Sequence, residues 1–121
     1  MSFANPRSVF VDANNVLWLL TGGPAINARR FLTRVASAST LNGQINSASE
    51  TDIEIVGSNQ AKSIVVDSAG TAYISDAQNK LFAYDNAATI PGGAVSATRT
   101  VQLDSNLLAG DTLQVTMLLL D

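Results

Sequence analysis

The segment KSIVVDSAGTAYISDAQNKLFAYDN, residues 62–86, contains three short apolar runs separated by two polar turns. The runs are rich in Val, Ile and aromatic residues and are bounded by Ser, Gly, Asp and Asn, which is typical of β-strands joined by tight turns. An earlier segment, RSVFVDANNVLWLL at residues 7–20, has the same order of run, turn and run. The sequence therefore predicts an all-β fold that is built from a repeated unit.

The strand pattern predicts two units of four strands each within one domain. The first unit, residues 5–58, has strands at 8–12, 16–21, 29–36 and 52–56, and the second, residues 60–106, has them at 62–67, 71–75, 80–85 and 98–103. A further strand is predicted at 112–121. Four antiparallel strands in each unit are typical of propeller blades, so we expect antiparallel four-stranded blade-like sheets in a partial β-propeller. The alternative is a compact β-sandwich.

The two units align by number. Ser8–Asp12 matches Ser63–Asp67 and Trp18 matches Tyr73 with a shift of 55 residues, which falls to 49 further along because the first unit carries extra residues near GGPAINARR. Trp18 and Tyr73 are interpreted as packing anchors, with ligand stacking as the alternative. The apolar side chains of the C-terminal strand are expected to pack internally or between molecules, and they are Leu113, Val115, Met117 and Leu119.

The second unit resembles a blade of the NHL-type β-propellers over residues 61–103. That pattern has an Asp after an apolar first strand, a Gly turn, an aromatic residue in the second strand and Asp-x-x-Asn before the third. The matching residues are Val65, Val66, Asp67, Gly70, Tyr73, Asp76 and Asn79. The first unit keeps Pro6, Val11, Asp12 and Trp18 but lacks the Asp-x-x-Asn turn. The resemblance implies a propeller, and in some members a lyase or hydrolase activity at a metal in the central channel.

Propellers that this chain resembles usually carry more than two blades in one polypeptide. Two blades alone leave the outer faces of the pair apolar and exposed, which favours association. We therefore expect a homo-oligomer or an assembly subunit, with about three chains closing a ring of about six blades, or an open array. The strand at 112–121 could add to a neighbouring sheet. The alternatives are a self-contained sandwich and a fragment of a larger propeller.

The chain contains no Cys and no His. Disulfides, thiolate chemistry, imidazole-based zinc sites and a Ser-His-Asp triad are therefore excluded within it. Asp12, Asp67, Asp76 and Asn79 follow strands and are interpreted as turn-capping residues. The alternative is that the aspartates recurring at 12, 67 and 121 line one mouth of a propeller and bind Ca²⁺. No catalytic, cofactor-binding or metal-ligating residue is predicted, and no cofactor.

The charged residues are few, with a net charge of −3. The seven basic residues are scattered, which argues against a nucleic-acid partner. Arg29, Arg30 and Arg34 are interpreted as a solvated strand face, with a contact to an anion or a partner as the alternative. Glu50, Asp52 and Glu54 form the only acidic cluster, which is expected to face water. The residues given include no secretory signal pattern and no apolar run of membrane length, so a soluble chain without membrane insertion is expected, of unknown compartment.

These observations favour a non-enzymatic structural or interaction protein that self-associates through sheet faces and edge strands. A scaffold, lattice, filament or virion component would fit this description. The alternative is a ligand-binding or Ca²⁺-binding propeller with lyase or hydrolase activity.

Overall fold

The computed structural model describes residues 6–22, 29–43, 50–58 and 60–103, and strands dominate them. The all-β prediction is therefore confirmed. The predicted strand at 112–121, with Leu113, Val115, Met117 and Leu119, lies outside the described residues. The described strands are β1 (Ser8–Val11), β2 (Leu17–Gly22), β3 (Arg30–Val35), β4 (Glu50–Ile55), β5 (Ala61–Val66), β6 (Ala72–Asp76), β7 (Lys80–Tyr84), β8 (Gly93–Val95) and β9 (Arg99–Gln102).

The strands form two sheets, and each contains four antiparallel strands. The first sheet has the order β1-β2-β3-β4, with β8 added in parallel beside β4. The second sheet has the order β5-β6-β7-β9. Within the described ranges the sheets do not close a barrel or a propeller. The arrangement fits partial blades as well as the sandwich alternative.

The strand β8 was not predicted from the sequence. Its residues lie in the segment IPGGAV at 90–95, where Pro and two Gly indicate a turn. The strand forms because the segment reaches the first sheet, where Ile53 pairs with Gly93 and Ile55 with Val95. Gly93 adopts a φ of 122°, which favours glycine. A connection of the second unit thus completes the edge of the first sheet.

One hydrophobic core lies between the two sheets. Alternation along each strand divides a sheet into an inner face, turned toward this core, and an outer face. The inner face of the first sheet presents Phe10, Trp18, Leu20, Leu32 and Ile53. The inner face of the second sheet presents Ile64, Val66, Ile74, Phe82 and Tyr84.

The two sheets repeat each other's strand register. Val11 pairs with Leu17 in the first sheet, and Val66 pairs with Ala72 in the second, at the shift of 55 residues. Each third strand leads into a short 3-10 turn, at Ala38–Thr40 and at Ala87–Thr89. The residues before these turns, Ser37 and Asn86, both have left-handed backbones, with φ values of 60° and 52°. Equivalent positions in the two sheets can therefore be compared directly.

Candidate functional site

Asp12 connects the first turn of the first sheet to the aromatic ring of β2. Its Oδ1 accepts hydrogen bonds from the backbone N–H groups of Asn14 at 2.8 Å and Val16 at 3.0 Å. Its Oδ2 accepts the indole N–H of Trp18 at 2.8 Å. One carboxylate thus holds both the turn and the orientation of a buried ring.

Asp67 makes the same three contacts in the second sheet. Its Oδ1 accepts from the N–H groups of Ala69 at 3.0 Å and Thr71 at 2.9 Å, and its Oδ2 accepts the Tyr73 hydroxyl at 3.1 Å. Each carboxylate oxygen of Asp67 therefore accepts the same kinds of donor as the corresponding oxygen of Asp12. The turn bonds fit the turn-capping interpretation of both aspartates, whereas the bond from each aspartate to the ring was not foreseen. The 55-residue match of an Asp and an aromatic residue six positions later carried the signal for it.

Asp76 accepts hydrogen bonds in the turn before β7. Its Oδ1 accepts from the N–H groups of Gln78 at 2.9 Å and Lys80 at 3.0 Å. Its Oδ2 accepts the hydroxyl of Ser58 at 3.0 Å, in the connection between the sheets. Asn79 contributes a left-handed backbone with a φ of 63°.

Two tyrosines are held in their protonated form. Burial is the first cause that raises the pKa of Tyr73, followed by its hydrogen bond to Asp67. Burial raises the pKa of Tyr84 to about 12, and its hydroxyl donates to the Val95 carbonyl at 2.9 Å. Neither phenol is a base at neutral pH, so both act as hydrogen-bond donors.

The arginine trio does not form a solvated face, which corrects the sequence interpretation. Arg29 is 71% exposed and pairs with Glu54 at 3.3 Å. Arg30, in contrast, is buried, and burial lowers its pKa. Arg34 points inward and burial lowers its pKa also. Strand alternation places Arg30 and Arg34 on the inner side, which a count of basic residues could not reveal.

Arg34 links the two sheets. Its guanidinium donates to the carbonyls of Ala87 at 3.1 Å and Ile90 at 2.5 Å, in and after the 3-10 turn of the second sheet. A guanidinium presents several donors in a fixed geometry, which suits two neighbouring carbonyls. The contact fixes this turn, and with it the approach to β8, against the first sheet.

The acidic cluster is only partly solvated, which also differs from the expectation. The Thr33 hydroxyl donates to Asp52 at 2.6 Å. Both carboxylate oxygens of Glu50 are buried, and neither is hydrogen bonded within the described part of the chain. Burial, and secondarily the charge of Asp52, raises the pKa of Glu50. Glu50 is therefore a source of electrostatic strain at the start of β4.

Two cavities are open to solvent. A cleft of about 500 Å³ lies beside the connection between the sheets and is lined by Arg29, Glu54, Ile55, Val56, Gly57, Ser58 and Gln78. A depression of about 140 Å³ lies on the second sheet and is lined by Ser63, Ile64, Val65, Tyr73, Ile74, Ser75 and Leu81. Within the described ranges, no three carboxylates converge to form a possible metal site.

The outer faces expose valines whose equivalents are buried. Val9 and Val11 on β1 are 61% and 53% exposed, whereas Ile64 and Val66, their equivalents on β5, are 3% and 6% exposed. Val65 on β5 is 51% exposed, although its equivalent Phe10 packs against the core. The outer face of the first sheet is not open everywhere, because Thr33 and Val35 on β3 are buried. The open part of that face is the β1 side.

Comparison with protein-family models, with curated proteins and with solved structures finds no match to this chain. The resemblance to NHL-type blades therefore stays a hypothesis. No helix in the described portion of the chain is long and apolar enough to span a membrane.

Proposed function

We propose that this chain is a non-enzymatic interaction protein with NHL-like blades that self-associates through its sheet faces. The observation that carries the proposal is the contrast in exposure between equivalent residues. Val9 and Val11 are open to water at positions where Ile64 and Val66 are covered by the other sheet. In the second sheet, this face is covered by the first sheet. In the first sheet, no described residue covers the β1 side of the equivalent face.

The exposed residues are of the kind that drives association. Contiguous apolar surface on a soluble protein favours contact with a partner, and its burial contributes about 25 cal/mol for each Å², from which the entropic cost of association is subtracted. A sheet face that has the same residue positions as an internal packing surface also has a shape that can pack against a second sheet. The partner that fits it best is another copy of the same chain.

The chemistry of the site supports a non-enzymatic role. The three turn aspartates are occupied by backbone N–H groups and by the donors on Trp18, Tyr73 and Ser58. The phenols of Tyr73 and Tyr84 both have raised pKa values. These groups serve the fold, and they are poorly placed to move protons in a reaction.

The mass of the particle in solution tests the proposal. Size-exclusion chromatography with light scattering, run from about 1 to 100 µM, should give a mass that is a multiple of 12.6 kDa. A mass of one chain across the whole range would contradict self-association. Thermal unfolding with Ca²⁺ and with a chelator tests the metal-binding alternative, and we expect identical curves.

A further inference from the structure

We infer that two copies pair head to tail, with the outer face of the second sheet in one copy covering the β1 side of the first sheet in the next. This inference rests on the proposed function and adds the surfaces and their polarity. Inside one chain, the inner face of the first sheet packs on the inner face of the second. The outer face of each sheet carries the residues that are equivalent to the inner face of the other sheet.

The correspondence covers the first two strands of each sheet, except that Ser75 stands where the core residue Leu20 stands in the first sheet. In the second sheet, Val65 and Tyr73 stand where Phe10 and Trp18 stand in the first, so its outer face repeats the first sheet's inner face. In the first sheet, Val9 and Leu19 stand where the core residues Ile64 and Ile74 stand in the second. The 140 Å³ depression beside Val65 and Tyr73 offers the space for such side chains.

One hydrogen bond joins the two sheets at β1 and β5, and the donor and acceptor equivalent to it lie on the two outer faces. The N–H of Ile64 on β5 donates to the hydroxyl of Ser8 on β1 at 3.4 Å. The equivalent hydroxyl is that of Ser63, an exposed residue, and the equivalent N–H is that of Val9 on the edge strand β1. Head-to-tail pairing would bring these two groups together.

The row of residues that carries Arg34 also has a counterpart in the second sheet. Arg34 pairs across the first sheet with both Trp18 and Thr51, and the matching row in the second sheet runs from Tyr73 through Ala83 to Arg99. The row therefore keeps a guanidinium, moved by one strand. This guanidinium donates to Asp85 at 2.6 Å within its own chain.

The burial of the two 3-10 turns agrees with this polarity. Ala87, in the turn that receives Arg34, is completely buried, whereas its equivalent Ala38 is half-buried. Since the two surfaces differ, the contact is heterologous, and repeated pairing gives a ring if the rotation closes and a filament if it does not.

Two glutamate variants test the polarity. V9E disables only the β1 side and V65E disables only the outer face of the second sheet. Each variant alone should remain a single chain at concentrations at which the wild-type protein associates. An equimolar mixture should form a one-to-one dimer and no larger species, because each variant keeps the surface that the other lacks. Sedimentation velocity measures both results.

The controls use similar residues. V56E replaces a valine that is 44% exposed and lies off both faces, so it should associate as the wild-type chain does. Circular dichroism and thermal unfolding check that the variants are folded, and V11E replaces V9E if V9E loses its β-sheet spectrum.

The outcomes separate this inference from the proposed function. If the wild-type chain stays single, both fail. If it associates but V9E or V65E associates equally well, self-association stands and the head-to-tail inference is overturned. If both variants are single chains and their mixture does not pair, the contact is not heterologous, and the inference is again overturned.

Discussion

Asp12 and Asp67 each use one carboxylate for two purposes. One oxygen accepts two backbone N–H groups of the turn, and the other holds the polar atom of an aromatic ring six residues later. Because one carboxylate binds both the turn and the ring, the ring has the same position relative to the turn in both sheets. The ring can be Trp or Tyr because each supplies one donor.

Removal of the Asp67 carboxylate should destabilise the fold. D67A leaves two turn N–H groups and the Tyr73 hydroxyl without this acceptor, and we expect a loss of about 2 kcal/mol in the free energy of unfolding. Y73F removes the bond to Asp67 and the interaction of the hydroxyl with Arg99, and it should cost about 1 kcal/mol. Urea unfolding measures both, and a D67A protein within about 0.5 kcal/mol of wild type would contradict the role of Asp67.

Glu50 should make stability depend on pH. Its pKa in the folded chain is raised above the ordinary value of 4.5, so the folded state favours the protonated form. The wild-type chain therefore loses stability as the pH rises from below 4.5 through the raised pKa. E50Q cannot ionise, so its stability relative to wild type should rise between about pH 3 and pH 7. Urea unfolding at both values tests this, and a pH-independent difference would refute it.

At the scale of elements, the long connection after β7 organises the contact between the sheets. It contains the 3-10 turn Ala87–Thr89 and the strand β8, and both lie against the first sheet. Arg34 holds the turn, and β4 pairs with β8. The second unit thus supplies a strand to the first sheet, which makes the two sheets depend on each other for folding.

Loss of the Arg34 guanidinium should weaken this contact. R34A leaves the carbonyls of Ala87 and Ile90 without their donor, and we expect a loss of about 1.5–3 kcal/mol in stability. Amide hydrogen exchange at residues 93–95 should accelerate. R29A is the matched control, because this exposed arginine makes a surface ion pair with Glu54 and a cation–π contact with Phe31, and its loss should cost less than about 1 kcal/mol. Equal effects of the two variants would contradict the link.

At the scale of the whole molecule, two repeated sheets share one core and leave two different outer faces, each equivalent to the inner face of the other sheet. The valines at 9, 11 and 65 are exposed on these faces. A partner that covers them would complete the packing that the chain already makes once within itself.

Association should make thermal stability depend on concentration. If folded chains bind one another, the midpoint of unfolding rises with protein concentration, by mass action. We expect a rise of several degrees between about 1 and 100 µM, and a larger one in sulfate, which strengthens apolar contacts. V65E should remove the dependence on concentration while V56E keeps it. Scanning calorimetry measures the midpoint, and a constant value for the wild-type chain would argue against association.

The sequence by itself determined the all-β class, the position of every strand but β8 among the described residues, and the spacing that relates the two sheets. Those features follow from local rules: alternation of apolar residues, turn chemistry, and an Asp that accepts nearby N–H groups. The strands and turns are visible because each depends on residues only a few positions apart, and the spacing is visible because the same local pattern occurs twice.

Only the tertiary structure decided which faces are covered. The parallel strand β8, the inward placement of Arg30 and Arg34, and the burial of the Glu50 oxygens depend on contacts between distant segments. The residues 91–95 carry turn-forming glycines, and Arg34 carries a charge, so local pattern alone assigns both to the surface. Long-range hydrogen bonding overrides that preference, because a strand edge and two carbonyls supply partners that no nearby residue offers.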